Sequence, residues 1–149
     1  MRTALLLTKL TREAGAFDRL LIATDTPTGS GIMPLGMLYM ISYLSGLGGI
    51  EPELAVAAAT GNNAKAFRLN AGVIAPGRDA DVILLDACDG GACNDALSAL
   101  RNGDIAAVSA VVTAGVPRFV GKSRNTPPGI RKVRVARSTI HQDFSGTGH

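Results

Sequence analysis

A single carboxylate at the end of an apolar run is the group in this chain best placed to do chemistry. Residues 20–23 are apolar, and they lead through Thr24 to Asp25 and then to turn-forming residues. Such a run predicts a strand over residues 20–24 that is buried on both faces. An acid after such a strand lies where α/β barrels carry catalytic groups. Asp25 could equally cap the next turn, because Asp before Pro and Gly is common in turns.

Three hydroxyl side chains follow this acid within five residues. Thr26, Thr28 and Ser30 lie in the loop after the predicted strand, where they could line a substrate site. Thr and Ser are also ordinary turn formers, so this alternative has equal weight. Both interpretations place the segment in a loop.

The composition limits the class of protein. The 149 residues are 46% hydrophobic, which is enough for the core of one ordinary domain. Residues 105–149 contain seven Lys or Arg and one Asp, but only Phe119 and Phe144 accompany them as aromatic residues. A nucleic-acid surface usually combines a basic face with stacking aromatics, so no nucleic-acid partner is expected. A solvated tail, or an arm that lies on a neighbouring subunit, explains the charge better.

The sequence predicts neither a membrane-spanning helix nor an export signal. The segment 32–50 is apolar over 19 positions but contains Pro34 and several glycines, without flanking clusters of Lys or Arg. A buried helix over residues 35–47 fits this pattern better. The first ten residues lack a long apolar run and a cleavage site of small residues, so a cytoplasmic location is expected.

The two cysteines suggest reduced thiols in a loop. Cys88 and Cys93 flank four residues, a spacing that a metal site or a small disulfide loop could also use. The only histidines are His141 and His149, both in the polar tail, so the sequence supports no zinc ribbon or finger.

The order of the predicted elements suggests part of a larger structure. A helix–strand–helix–helix segment precedes an all-strand segment, and one strand with its helices cannot form a sheet. Leu6, Leu10 and Phe17 are expected to be buried. The predicted helices cover residues 3–14, 35–47 and 52–69 with an interruption at 60–63, and the predicted strands cover residues 20–24, 82–86, 108–113 and 117–120.

Three motifs in order resemble the amidohydrolase superfamily. Residues 72–86 look like its Gly-x-Ile-x-x-Gly-x-x-Ala-Asp signature, which four apolar residues and an Asp follow. Residues 59–67 resemble its Ala-Thr-x-Asn-x-Ala-Lys helix, and the segment around Asp25 resembles its eighth barrel strand. Residues 24–29, 102–105 and 122–128 further resemble the enamidases of this superfamily, which hydrolyse a cyclic amide.

The resemblance implies an α/β fold. Residues 1–69 would be the C-terminal end of a (β/α)₈ metal-dependent hydrolase barrel, with its last strand and helices. Residues 70–121 would supply the C-terminal strands of a small β-sandwich domain, and residues 122–149 a basic, irregular tail. Asp79, Asp81 and Asp86 would then have structural roles in the β segment.

The resemblance also implies a divalent metal, zinc or iron, in the complete enzyme. Asp25 maps onto the family's Asp that contacts the metal and takes a proton from the metal-bound water. The family's other ligands include a His-x-His pair, yet no His precedes Asp25 here. One carboxylate cannot hold zinc, so we expect no bound metal and no activity from the chain alone.

The expected partners follow from the same resemblance. They are a small cyclic-amide substrate, the missing N-terminal half of the barrel and further copies of the chain in a homo-oligomer. The alternative is a non-catalytic module that serves folding or oligomerisation.

Overall fold

The computed structural model describes residues 2–26, 31 and 33–135. Helices dominate the first half of the chain and a small sheet the second. The helices are α1 (Arg2–Glu13), a 3₁₀ turn (Phe17–Arg19), α2 (Gly36–Gly46), α3 (Pro52–Ala59), α4 (Gly61–Phe67) and α5 (Ala96–Arg101), and the strands are β1 (Val82–Asp86), β2 (Ala107–Thr113) and β3 (Val116–Val120).

The helical half packs around α2 and α3, and the predicted helices are confirmed. The interruption predicted over residues 60–63 is shorter than expected, because α4 already begins at Gly61. Pro52 begins α3, where its fixed φ suits a first helical turn and no N–H is needed. Two buried clusters hold the helices together; one contains Ile41, Ile50, Ala55, Leu100 and Ala106, and the other contains Ile22, Leu44 and Ala58. Because Leu100 belongs to α5 and Ala106 precedes β2, the first cluster ties the helices to the sheet segment.

The sheet is antiparallel with the order β1-β2-β3. The β2–β3 hairpin was predicted correctly, and it turns at Ala114 and Gly115, whose φ angles are 50° and 76°. Two-residue hairpin turns favour positive φ because their twist matches that of the strands. Val82 pairs with Val112 and Asp86 with Ala107, so β1 runs along most of β2.

The strand predicted over residues 20–24 does not form. The segment has no regular secondary structure, and within the described residues no strand pairs with it. The Ile22 N–H instead donates to the carbonyl of Ala58 at 3.2 Å. A strand requires a neighbour to receive its backbone hydrogen bonds, and an apolar run alone does not supply one.

Two of the three expected core residues near the N-terminus are exposed. Leu6 is 55% exposed and Leu10 50%, whereas Thr8 is only 2% exposed. Ala4 and Leu5 pack against the second buried cluster, so α1 turns that side inward and its Leu6–Leu10 side outward. Phe17 is partly buried and packs against both clusters.

Helix α5 was not predicted, although it carries a recognisable cap. Asp95 Oδ1 accepts a hydrogen bond from the Ser98 N–H at 2.9 Å, which is the usual N-cap contact. In the described ranges, no helix is long and apolar enough to cross a bilayer; α2 has 11 residues.

Candidate functional site

Asp25 lies at the end of the segment 20–25, in a left-handed backbone conformation. Its φ is 53°, which is uncommon for a non-glycine residue and is best tolerated by Asp and Asn. Asp25 and the neighbouring Thr26 are exposed. Thr28 and Ser30, the other predicted substrate contacts, lie outside the described residues. The chain therefore turns sharply at the acid that the sequence singled out.

Two asparagine amides hold the segment that leads to Asp25. Asn62 Nδ2 donates to the carbonyls of Phe17 and Leu20 at 3.1 and 2.9 Å. Asn63 Nδ2 donates to the carbonyl of Ile22 at 3.1 Å. These bonds satisfy carbonyls that a neighbouring strand would otherwise serve.

No positioning role was predicted for these two asparagines. The sequence predicted only an interruption over residues 60–63, although Asn62 is the Asn of the Ala-Thr-x-Asn-x-Ala-Lys motif; both asparagines lie in the first turn of α4. Partners more than 40 residues away could not be read from the pattern. Asn62 and Asn63 therefore position the segment that carries the candidate acid.

Gly72 joins two of the motifs on which the resemblance depends. A Cβ at Gly72 would lie 2.8 Å from the Thr60 carbonyl oxygen and 2.9 Å from Ala64 Cβ. Glycine is required because the backbone passes directly over the start of α4, with φ at 76°. The helix motif and the β-segment motif therefore form one packed unit.

The acids of the β segment have the structural hydrogen bonds expected of them. Asp81 Oδ1 accepts from the Ala114 N–H at 2.7 Å, which secures the hairpin turn. Asp79 Oδ1 accepts from Asn70 Nδ2 at 2.9 Å. These contacts fix loops of the β segment.

The buried carboxylate of Asp86 forms an ion pair with the exposed side chain of Arg131. Its side chain is 5% exposed, whereas that of Arg131 is 63% exposed. Asp86 Oδ2 accepts from the Arg131 N–H at 2.7 Å, and Oδ1 accepts from Nε at 2.9 Å and from Nη2. The Ala87 N–H also donates to Oδ1. The hydrogen bonds from the Arg131 side chain hold the pKa of Asp86 below its ordinary value, although burial opposes them.

The basic segment up to Arg131 packs on the sheet. The Ile130 N–H donates to the Ala87 carbonyl at 3.2 Å, and the Asp89 N–H donates to the Pro128 carbonyl at 2.7 Å. Thr126 Oγ1 accepts from the Val108 N–H at 3.1 Å. Residues 126–131 are therefore held against β1 and β2. Residues 136–149 of the predicted tail lie outside the described residues.

The two cysteines line one cleft of about 350 Å³. Both are free thiols, as expected, and both are half-buried. Cys88 Sγ donates to the Ile105 carbonyl at 2.8 Å. Burial, with a smaller contribution from the Asp104 charge, raises the pKa of the Cys88 thiol.

The described part of the chain does not by itself form a metal site. Over residues 2–26, 31 and 33–135, no three His, Cys, Asp or Glu side chains are grouped to hold a metal ion. His141 and His149 lie outside these ranges. Asp25 alone falls short of the three or four protein ligands that zinc requires.

Comparison with known proteins gives the family. The chain is 42% identical to the enamidase of Eubacterium barkeri over 123 residues, which are 83% of this chain and 32% of that protein. The crystal structure of enamidase, a member of the amidohydrolase superfamily, matches 88% of this chain and 34% of its own, with a TM-score of 0.83 and 40% identity. The chain thus spans about a third of the length of these relatives. Because the model of the Amidohydrolase family also matches residues 7–122, the chain belongs to the amidohydrolase family.

Proposed function

We propose that this chain is the C-terminal part of a metal-dependent hydrolase that opens a cyclic amide by cleaving its C–N bond. The observation that carries this proposal is the 42% identity to enamidase over 83% of the chain. The region that the family model matches, residues 7–122, includes the anchored segment that ends at Asp25. Amidohydrolases generally use a divalent metal.

In this proposal Asp25 is the chain's own contribution to the chemistry. Its carboxylate would be this chain's ligand to the metal. It would accept a proton from the attacking water and pass that proton to the leaving nitrogen. The metal, when bound, would supply a water molecule whose pKa is lowered to about 7. Without it a carboxylate is a poor base for water, because an ordinary Asp has a pKa of about 4. Thr26, Thr28 and Ser30 are proposed to line the substrate loop.

The remaining metal ligands are proposed to come from an N-terminal barrel part outside this chain, which spans about a third of the length of its relatives. An apolar groove of about 140 Å³ supports this partner. Leu7 of α1, Leu21 of the segment before Asp25 and Met40 of α2 are among its lining residues. Leu6, Leu7 and Leu10 continue the apolar surface along α1 and are each at least half exposed.

The isolated chain is accordingly proposed to lack activity and to associate with itself. An apolar surface of this kind in water favours self-association or binding to a partner. Light scattering of the purified chain at micromolar concentration tests this step. A compact monomer would contradict it.

Activity is tested by co-expressing the chain with the part of Eubacterium barkeri enamidase that precedes the matched region. We expect hydrolysis of a cyclic amide to appear only when both parts are present. Asp25→Asn should lower kcat by about 100-fold or more, the range for loss of a positioned proton-transfer group.

Asp89→Asn is the matched control. Asp89 is exposed, and in the described part of the chain its side chain makes no hydrogen bond or ion pair. Equal activity of the two variants would overturn the role of Asp25. A monodisperse chain that unfolds cooperatively and never responds to the N-terminal part would favour the non-catalytic module instead.

A further inference from the structure

The cleft lined by Cys88 and Cys93 has no part in the proposed hydrolysis, yet it brings together the only two thiols of the chain. Both thiols are half-buried and free. Leu35 and Tyr39, which lie at the start of α2, also line this cleft. The two thiols therefore share this cleft with side chains at the start of α2.

The backbone between the cysteines is folded back on itself. The Gly91 N–H donates to the Cys88 carbonyl at 3.0 Å, which closes a turn over residues 88–91. The ends of such a turn lie within about 7 Å of each other, and Cys93 follows two residues later. A Cβ at Gly91 would lie 3.0 Å from the Cys88 carbonyl oxygen, so a larger residue would strain this turn. A disulfide needs Cα atoms about 4.4–6.8 Å apart, a distance that a short glycine-containing loop can reach.

The surroundings of Cys88 make it the slower thiol toward an external disulfide. Its Sγ donates to the Ile105 carbonyl, and burial raises its pKa, so its thiolate is disfavoured. Because the thiolate is the attacking species in exchange, Cys93 is the thiol that reacts first.

We propose that Cys88 and Cys93 are a reversible dithiol–disulfide pair that a low-molecular-weight disulfide such as oxidised glutathione oxidises. The Cys93 thiolate attacks one sulfur of the glutathione disulfide, forming a mixed disulfide and releasing one glutathione thiolate. The Cys88 thiolate then attacks the Cys93 sulfur and releases the second glutathione. The two cysteines lose two electrons and two protons, and the glutathione disulfide gains them as two thiols.

The test is an equilibration of the full chain in a glutathione redox buffer without oxygen, followed by alkylation and intact-mass analysis. We expect the oxidised chain to be lighter by two hydrogen atoms, with no thiol left to alkylate. The ratio of intramolecular disulfide to dithiol should be at least about tenfold higher in native buffer than in concentrated urea. In urea the thiols have only the millimolar effective concentration of a short flexible linker.

The single variants test the order of attack. Cys88→Ser and Cys93→Ser should each take up one glutathione, and Cys88→Ser, which retains Cys93, should do so faster. A wild-type chain that carries two glutathiones, an equal ratio in urea, or the reverse order of rates would overturn the proposal. The wild-type ratio needs no variant, so a substitution that disturbs folding does not affect that result.

Discussion

Replacing Asn62 by Asp has two opposite effects on the free energy of unfolding: the loss of two hydrogen bonds and a favourable charge at the start of a helix. Its amide donates two hydrogen bonds, to the carbonyls of Phe17 and Leu20. Each such bond contributes about 0.5–1.5 kcal/mol net, so Asn62→Ala should lower the free energy of unfolding by about 1–3 kcal/mol. Asn62→Asp should cost more, because a carboxylate would face the same two carbonyls without a proton to donate.

The opposing effect comes from the helix. Asn62 lies in the first turn of α4, where a negative charge is favoured by about 0.3–1 kcal/mol through the helix dipole. If the two hydrogen bonds were absent in solution, Asn62→Asp would therefore stabilise the chain. Urea unfolding followed by circular dichroism gives the sign directly. At neutral pH, an Asn62→Asp chain more stable than the wild type would refute the anchoring of the segment that carries Asp25.

Two further predictions concern the β segment. Arg131→Met should lower the free energy of unfolding at neutral pH. The difference from the wild type should shrink as the pH falls below about 4, because the lowered pKa of Asp86 contributes stability only while the carboxylate is charged. Urea midpoints between pH 7 and about 3 measure this, and a deficit independent of pH would contradict it. Ala114→Gly should raise the free energy of unfolding by about 0.5–1 kcal/mol, since Ala114 has a φ of 50° in the hairpin turn. Thermal melting checks the sign, and a lower Tm would contradict it.

The local sequence pattern was sufficient to predict those elements whose caps, turns or hydrophobic period lie within the element itself. Helix α2, the Pro52 start of α3 and the β2–β3 hairpin all carry period, cap or turn signals, and each was predicted. Helix α5 was not predicted, although its cap is local: Asp95 precedes the helix and accepts a hydrogen bond from the Ser98 N–H three residues later.

Elements that depend on contacts with residues far away in the sequence could not be predicted from local pattern. An apolar run predicts a strand over residues 20–24, but hydrogen bonding to Ala58 and to Asn62 decides its state. The pairing of Asp86 with Arg131 joins residues 45 apart and leaves no local pattern. For the candidate site, the sequence indicated Asp25 but not the amides that place it.

The amide-held segment has a consequence for assembly. Ordering a flexible segment before it pairs with a strand costs conformational entropy. The free-energy cost is about 1–2 kcal/mol for each residue fixed. Residues 20–22 have already lost much of this freedom through bonds to α3 and α4. A strand arriving beside them would meet a preorganised edge, so its rate of association would depend on encounter and orientation more than on local folding.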